Sequence, residues 1–179
     1  TTNYNLDKIT KDTYVDVYDV KTKKFLVNVE DLVSVIDAMP DNVTVTGETF
    51  MLTTSANVLT GTEKGDVFNG TDVTSVLGSL NGGTGIDTFN YIDTNGGVDV
   101  IADTGLLLTS IETLNIRSIG AADATTTSVT GLNNLNVTQA TSATLDAAAT
   151  TDVNVSGITI NNGDISVKGG KNIVINDTK

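Results

Sequence analysis

"SIETLNI" at residues 110–116 and "GLNNLNV" at residues 131–137 share one pattern, an apolar pair split by a single Asn: Leu114 and Ile116, then Leu135 and Val137, at an offset of 21. Strand side chains alternate faces, so such a doublet is a short strand that buries two side chains on one side. Further doublets follow at Val153/Val155, Ile158/Ile160, Ile165/Val167 and Ile173/Ile175, with Gly, Asn or Asp between them. Short strands, tight corners and a repeat of about 20 residues predict a mainly β chain folded as a parallel β-solenoid, β-helix- or β-roll-like, in which each coil rests on its neighbour. An antiparallel β-sandwich, which also gives short strands with regular turns, is the alternative. The Thr-rich "AADATTTS" at 121–128 reads as a loop between coils.

Residues 1–49 have a different texture. "TYVDVYDV", "KTKK" and "FLVNV" read as a hairpin. "EDLVSVIDAMPD" then spaces Leu32, Val33, Ile36 and Met39 as on a short helix, with Glu30 and Asp31 in its first turn and Pro40 at its end. The expected organisation is therefore a small α/β N-terminal portion over 1–49 and a solenoid over 50–179.

Composition narrows the chemistry. Aromatic residues are 4% of the chain, so the core is built from Val, Ile, Leu and Ala, which suits stacked strands. Asp outnumbers Glu 18 to 4, and the net charge is −12, which disfavours nucleic acid and anionic membranes as partners and favours metal cations. The chain has no Cys and no His, which removes disulfides, thiolate sites, Ser-His-Asp catalysis and the usual zinc sites. No apolar run reaches the ~18 residues needed for a membrane span, so no direct membrane insertion is expected. A start at Thr1 fits an excised or processed piece.

"GGTGIDTFN" at 82–90 concentrates Gly82, Gly83 and Gly85 ahead of Asp87. Glycines free to take positive φ let a loop curl and aim backbone carbonyls at one centre, and the carboxylate adds charge, a donor set that suits calcium. The spelling matches the nine-residue Gly-Asp repeat of calcium-binding β-helices. A reduced copy, "GTEKGDVFN" at 61–69, keeps Gly61, Asp66 and Phe68 in step at the same offset of 21, with Lys64 bringing a positive charge. The candidate calcium ligands are Asp66 and Asp87, with the turn residues Gly61, Gly82 and Thr84. Asp72, Asp93 and Asp99 flank these turns and are candidates to close the shell of a neighbouring coil; as surface turn residues they would play no such part.

Taken in order, "FMLTTSANVLTGTEKGDVFNG", "LNGGTGIDTFNY", "SIETLNI" and "GLNNLNV" resemble surface-layer proteins of Gram-negative bacteria, within the RTX group exported by type I secretion. The resemblance covers about residues 50–140. It implies a secreted protein that binds Ca²⁺, folds outside the cell on the bacterial surface and assembles with copies of itself into a two-dimensional lattice. It carries ligand roles only to Asp66 and Asp87 and their turns. Relatives often have Asp where this chain has Asn57. The alternative is a calcium-binding secreted adhesin or glycan-binding module, with cell-surface polysaccharide as a partner. An enzyme such as a β-helical lyase or glycosidase is not expected, because spacing alone singles out no carboxylate pair.

Overall fold

A parallel ladder runs through most of the chain. Thr49 is registered with Val67, Val67 with Thr88, Thr88 with Thr113, Thr113 with Asn134, Asn134 with Asp152, and Val153 with Ile173, in steps of 18, 21, 25, 21, 18 and 20 residues. The computed structural model describes residues 18–19, 24–25, 46–74, 77–97, 99–159 and 163–176. These fall in two compact units, Thr1–Thr44 and Val45–Lys179. In the first, β1 (Tyr18–Asp19) pairs antiparallel with β2 (Lys24–Phe25), the hairpin the alternation predicts. The helix expected over 30–40 lies outside the described residues.

The second unit is a parallel β-solenoid of about six turns. Its long wall has seven strands: β3 (Thr49–Met51), β5 (Val67–Thr71), β7 (Thr88–Asp93), β9 (Thr113–Ser118), β11 (Asn134–Gln139), β13 (Asp152–Ser156) and β15 (Ile173–Asn176). Two three-stranded walls face the interior from elsewhere in the coil. One is β4 (Asn57–Thr60), β6 (Gly78–Asn81) and β8 (Leu106–Thr109); the other is β10 (Ala121–Thr125), β12 (Ser142–Ala147) and β14 (Ile165–Gly169).

Register stacks like on like. Phe50, Phe68, Phe89, Leu114, Leu135, Val153 and Ile173 form one inward column. The Phe50 and Phe68 rings stack with centroids 4.8 Å apart. Two residues on, Tyr91, Ile116, Val137 and Val155 form a second buried column. Between them, on the outer face, Asn69, Asn90, Asn115 and Asn136 make an amide ladder in which each Nδ2 donates to the Oδ1 of the coil before, at 2.9 Å.

Two readings of the second half are corrected. "AADATTTS" is not all loop: Ala121–Thr125 is strand β10, with Ala122 and Ala124 buried beside Leu114 and Ile116 in the same core. There the long wall supplies the bulk and the second wall supplies methyls, a pattern that an eye set for large apolar residues passes over. Ile158 makes only a single bridge to Ala140 rather than a strand, and Ile160 lies outside the described residues. The doublet Ile173/Ile175 does form β15. As the edge of the long wall it leaves Ile173, Val174 and Ile175 nearly half exposed.

Leu114 is fully buried mid-wall and Leu107 is 69% exposed. Leu114→Ala is expected to cost about 2–5 kcal/mol and Leu107→Ala less than about 0.5 kcal/mol, read from urea unfolding midpoints.

Candidate cation-binding corner

The first four strands of the long wall are each entered through an acid: Glu48, Asp66, Asp87 and Glu112 precede the registered residues Thr49, Val67, Thr88 and Thr113. Parallel stacking therefore places these four side chains in one column, about 4.8 Å from coil to coil. From the second coil on, each side chain in the column turns back to the coil before it. Asp66 Oδ1 accepts from the Glu48 amide, Asp87 Oδ1 accepts from the Asp66 amide at 2.7 Å, and Glu112 Oε2 accepts from the Asp87 amide at 2.8 Å. The corner amides are thereby satisfied by charge-assisted hydrogen bonds, which are stronger than neutral ones.

Asp66 and Asp87 are both fully buried, yet their second oxygens differ. In the "GTEKGD" corner, the Thr62 amide donates to Asp66 Oδ2 at 2.6 Å, and the Thr62 hydroxyl lies 3.1 Å from both carboxylate oxygens. In the "GGTGID" corner the equivalent amide, Gly83 N, donates instead to Asn81 Oδ1 at 3.1 Å, and glycine brings no hydroxyl. Asp87 Oδ2 is left buried with no hydrogen-bond partner. The fuller match to the calcium repeat thus has the bare oxygen, and the reduced copy caps itself.

The leading glycine of each corner is required for space rather than for positive φ. A Cβ on Gly82 would lie 1.9 Å from Ser110 O and 2.4 Å from Asp87 Oδ2; one on Gly61 would lie 2.2 Å from Gly82 O and 2.4 Å from Asp66 Oδ2. Gly83 and Gly85 are the ones at positive φ, 93° and 126°. Ser110 also takes a positive φ, 50°, rare outside glycine, and its carbonyl oxygen, like Asp87 Oδ2, lies close beside Gly82. Burial raises the Asp87 carboxyl above the usual carboxylate range, and the nearby charges of Glu112 and Asp66 push the same way; the hydrogen bond from the Asp66 amide opposes them.

The other expected ligands lie elsewhere. Thr84 is exposed, and its amide donates to Thr62 O at 3.3 Å. Asp72 directly follows β5 and Asp93 ends β7, so both stand at the opposite end of the long wall, and Asp99 bridges to Asp123 of another wall; none of the three joins that corner. They cap turns instead. Asp72 Oδ1 accepts from the Thr94 amide and hydroxyl at 3.1 and 2.7 Å. Asp93 Oδ1 accepts from the Asn95 and Gly96 amides at 3.0 and 2.7 Å, and Asp99 Oδ1 from those of Ile101 and Ala102, both at 2.9 Å. Burial works to raise the Asp72 and Asp99 carboxyls, but these hydrogen bonds outweigh it and hold both below the usual range. Among the described residues, no three acidic side chains converge closely enough to hold a metal by themselves. Asn57 uses both ends of its amide: Oδ1 accepts from the Thr53 amide at 2.9 Å, and Nδ2 donates to Thr53 O and Thr74 O at 3.1 and 2.8 Å. A carboxylate could not make the last two bonds.

Glu112, Ser110 and Asn81 were not expected at this corner. Glu112 had a signal: it precedes "TLNI" as Asp87 precedes "TFNY". Its offset of 25 hides it from a search at 21.

Comparison with known proteins gives no match: no family model, no curated protein and no solved structure aligns with the chain.

A carboxyl raised in the folded state contributes stability that is complete below its unfolded pKa and is lost as pH rises through the folded one. Asp72 and Asp99, both lowered, act in the opposite sense. The difference between the parent and Asp87→Asn isolates Asp87. In EGTA, the parent's melting temperature should fall relative to that of Asp87→Asn as pH rises from about 4 to about 7; parallel curves would refute the assignment.

Proposed function

We propose that the chain is a non-enzymatic structural module of a bacterial surface layer, exported by type I secretion, that folds with Ca²⁺ outside the cell and assembles with its own copies. The observation that carries this reading is Asp87 Oδ2, a carboxylate oxygen buried without a partner in a Gly-rich corner. Calcium takes 6–8 oxygens at about 2.3–2.6 Å and accepts carbonyls as readily as carboxylates. Asp87 Oδ2 and Ser110 O, both close beside Gly82, are oxygens this chain would offer it. When bound, the ion supplies positive charge. Asp87 Oδ1 already accepts from the Asp66 amide, so Oδ2 is the oxygen that would hold the ion.

The column of Glu48, Asp66, Asp87 and Glu112 stacks like charges at each coil step, within a chain of net charge −12. Without divalent cation this repulsion disfavours the stacked coils, which suits a chain exported unfolded. With cation, binding free energy adds to folding free energy. The resemblance of "GTEKGDVFN" and "GGTGIDTFN" to RTX surface-layer repeats supports the same lifestyle. Assembly with its own copies is what that resemblance implies.

Thermal melts in calcium, magnesium and EGTA test this reading. A large stabilisation specific to calcium is expected, with most of it lost in Asp87→Ala and most of it kept in Asp66→Asn, whose parent oxygens are already occupied. A melting temperature indifferent to calcium would overturn it. Electron microscopy of the calcium-loaded protein should show ordered sheets; dispersed particles at all concentrations would overturn the lattice role.

A further inference from the structure

The outer face of the long wall changes character towards its end. The amide ladder that runs from Asn69 to Asn136 would continue to Asn154, which is registered with Asn136, but among the described residues no hydrogen bond joins them. The Asn136 carbonyl and the whole Asn154 amide are thus left facing outwards. At this place lies a groove of about 310 Å³, crossing β11, β13 and β15 and lined chiefly by Asn134, Asn136, Asp152, Asn154, Asn172 and Val174. Asn134 and Asp152 are registered neighbours, and Asn172 Nδ2 donates to Asp152 Oδ1 at 2.6 Å, which leaves Asp152 Oδ2 available.

We infer that this groove binds a short stretch of neutral polysaccharide lying along the solenoid axis, across three coils. An asparagine amide sets a donor and an acceptor side by side, the arrangement that meets vicinal hydroxyls. Parallel coils repeat those amides every ~4.8 Å, a spacing on the scale of one sugar ring. Val174 offers an apolar contact for the C–H face of a ring. The charge of the lining selects the sugar class: it holds one carboxylate and no Lys or Arg, so an acidic sugar would meet Asp152 uncompensated. The volume lies at the lower end of small-ligand sites, about 300–1,000 Å³, which suits one or two rings of a longer chain held in an open cleft. The inference does not rest on the calcium corner, which lies among earlier coils.

The test is NMR titration of the full ¹⁵N-labelled chain, followed through side-chain amide signals, with cellohexaose, laminarihexaose and maltohexaose as probes and hexagalacturonate as the acidic control. At least one neutral hexaose should give saturable shifts at Asn136, Asn154 and Asn172, with Asn69 and Asn90 unmoved. Asn154→Leu should weaken that binding about tenfold or more. Asn154 is exposed and its side chain makes no hydrogen bond, so the variant should melt as the parent does. No saturable shift with any neutral hexaose, shifts centred elsewhere, or unchanged affinity in Asn154→Leu would overturn the site. Equal binding of hexagalacturonate would overturn the neutral-sugar assignment.

Discussion

Parallel stacking in register is the constraint from which the rest of the structure follows. In an antiparallel sheet a residue faces an unrelated partner, but in this solenoid each position faces its own counterpart one coil away. Every choice is therefore repeated along the axis, and its consequence depends on whether a residue type tolerates its own kind. Phe68, Phe89, Leu114 and Leu135 do, since apolar surface is buried on both sides. Asn69, Asn90, Asn115 and Asn136 do, because an amide is donor and acceptor at once and can pair with itself indefinitely. A carboxylate does not.

The acid column is the place where this constraint conflicts with itself. Its local resolution is to point the carboxylates of Asp66, Asp87 and Glu112 back at the amide of the preceding coil, so that each of the three finds a donor although its neighbours are also acids. The resolution is complete at Asp66, where Thr62 supplies both an amide and a hydroxyl to the remaining oxygen. It is incomplete at Asp87, where the loop has spent its donor on Asn81. The two corners have the same backbone role and the same carboxylate, and they differ in two donors: the Gly83 amide turns to Asn81 where the Thr62 amide turns to Asp66, and glycine has no hydroxyl to offer. Elsewhere the chain avoids the conflict by changing the residue: Asp146 is registered with Lys168, and the two pair at 2.7 Å.

How much of this was legible in the sequence follows the same division. The long wall was legible because its columns are large apolar residues at offsets of 18 to 25, and "SIETLNI" over "GLNNLNV" gives the observed register of Leu114 on Leu135 directly. Strand β10 was not, because Ala122 and Ala124 contribute burial through small size, and alanine has no strong preference for strand. The Asp66 and Asp87 corner could be located from the repeated spelling, but which corner kept a bare oxygen could not. That depended on one amide choosing Asn81 over a carboxylate, a matter of loop geometry. Asp72, Asp93 and Asp99 flank these turns in sequence but stand apart from them in space. A strand of five or six residues carries the chain across the full width of the wall between Asp66 and Asp72, and between Asp87 and Asp93.

Variation in coil length shows which wall governs the others. The step from Thr88 to Thr113 is 25 residues, against 21 on either side, and the excess is taken up between β7 and β8, where Asp99 to Thr104 form an extra turn. The long wall passes through this coil in register, with Leu114 beneath Phe89 and Asn115 bonded to Asn90. The other two walls thin out here: the sheet of β4, β6 and β8 goes on only as a single bridge from Thr109 to Thr130, and that of β10, β12 and β14 reaches back only as a single bridge from Asp123 to Asp99. Insertions are absorbed where a strand can be exchanged for a loop, or past the inward columns as at the bulge after Val137, and excluded where an inward column, an amide ladder and an acid column would all slip together. A one-residue shift in the long wall would reverse all three at once, turning Asn115 inward and Leu114 out to solvent. That threefold penalty is why Glu112 still falls on the Asp87 amide after four additional residues.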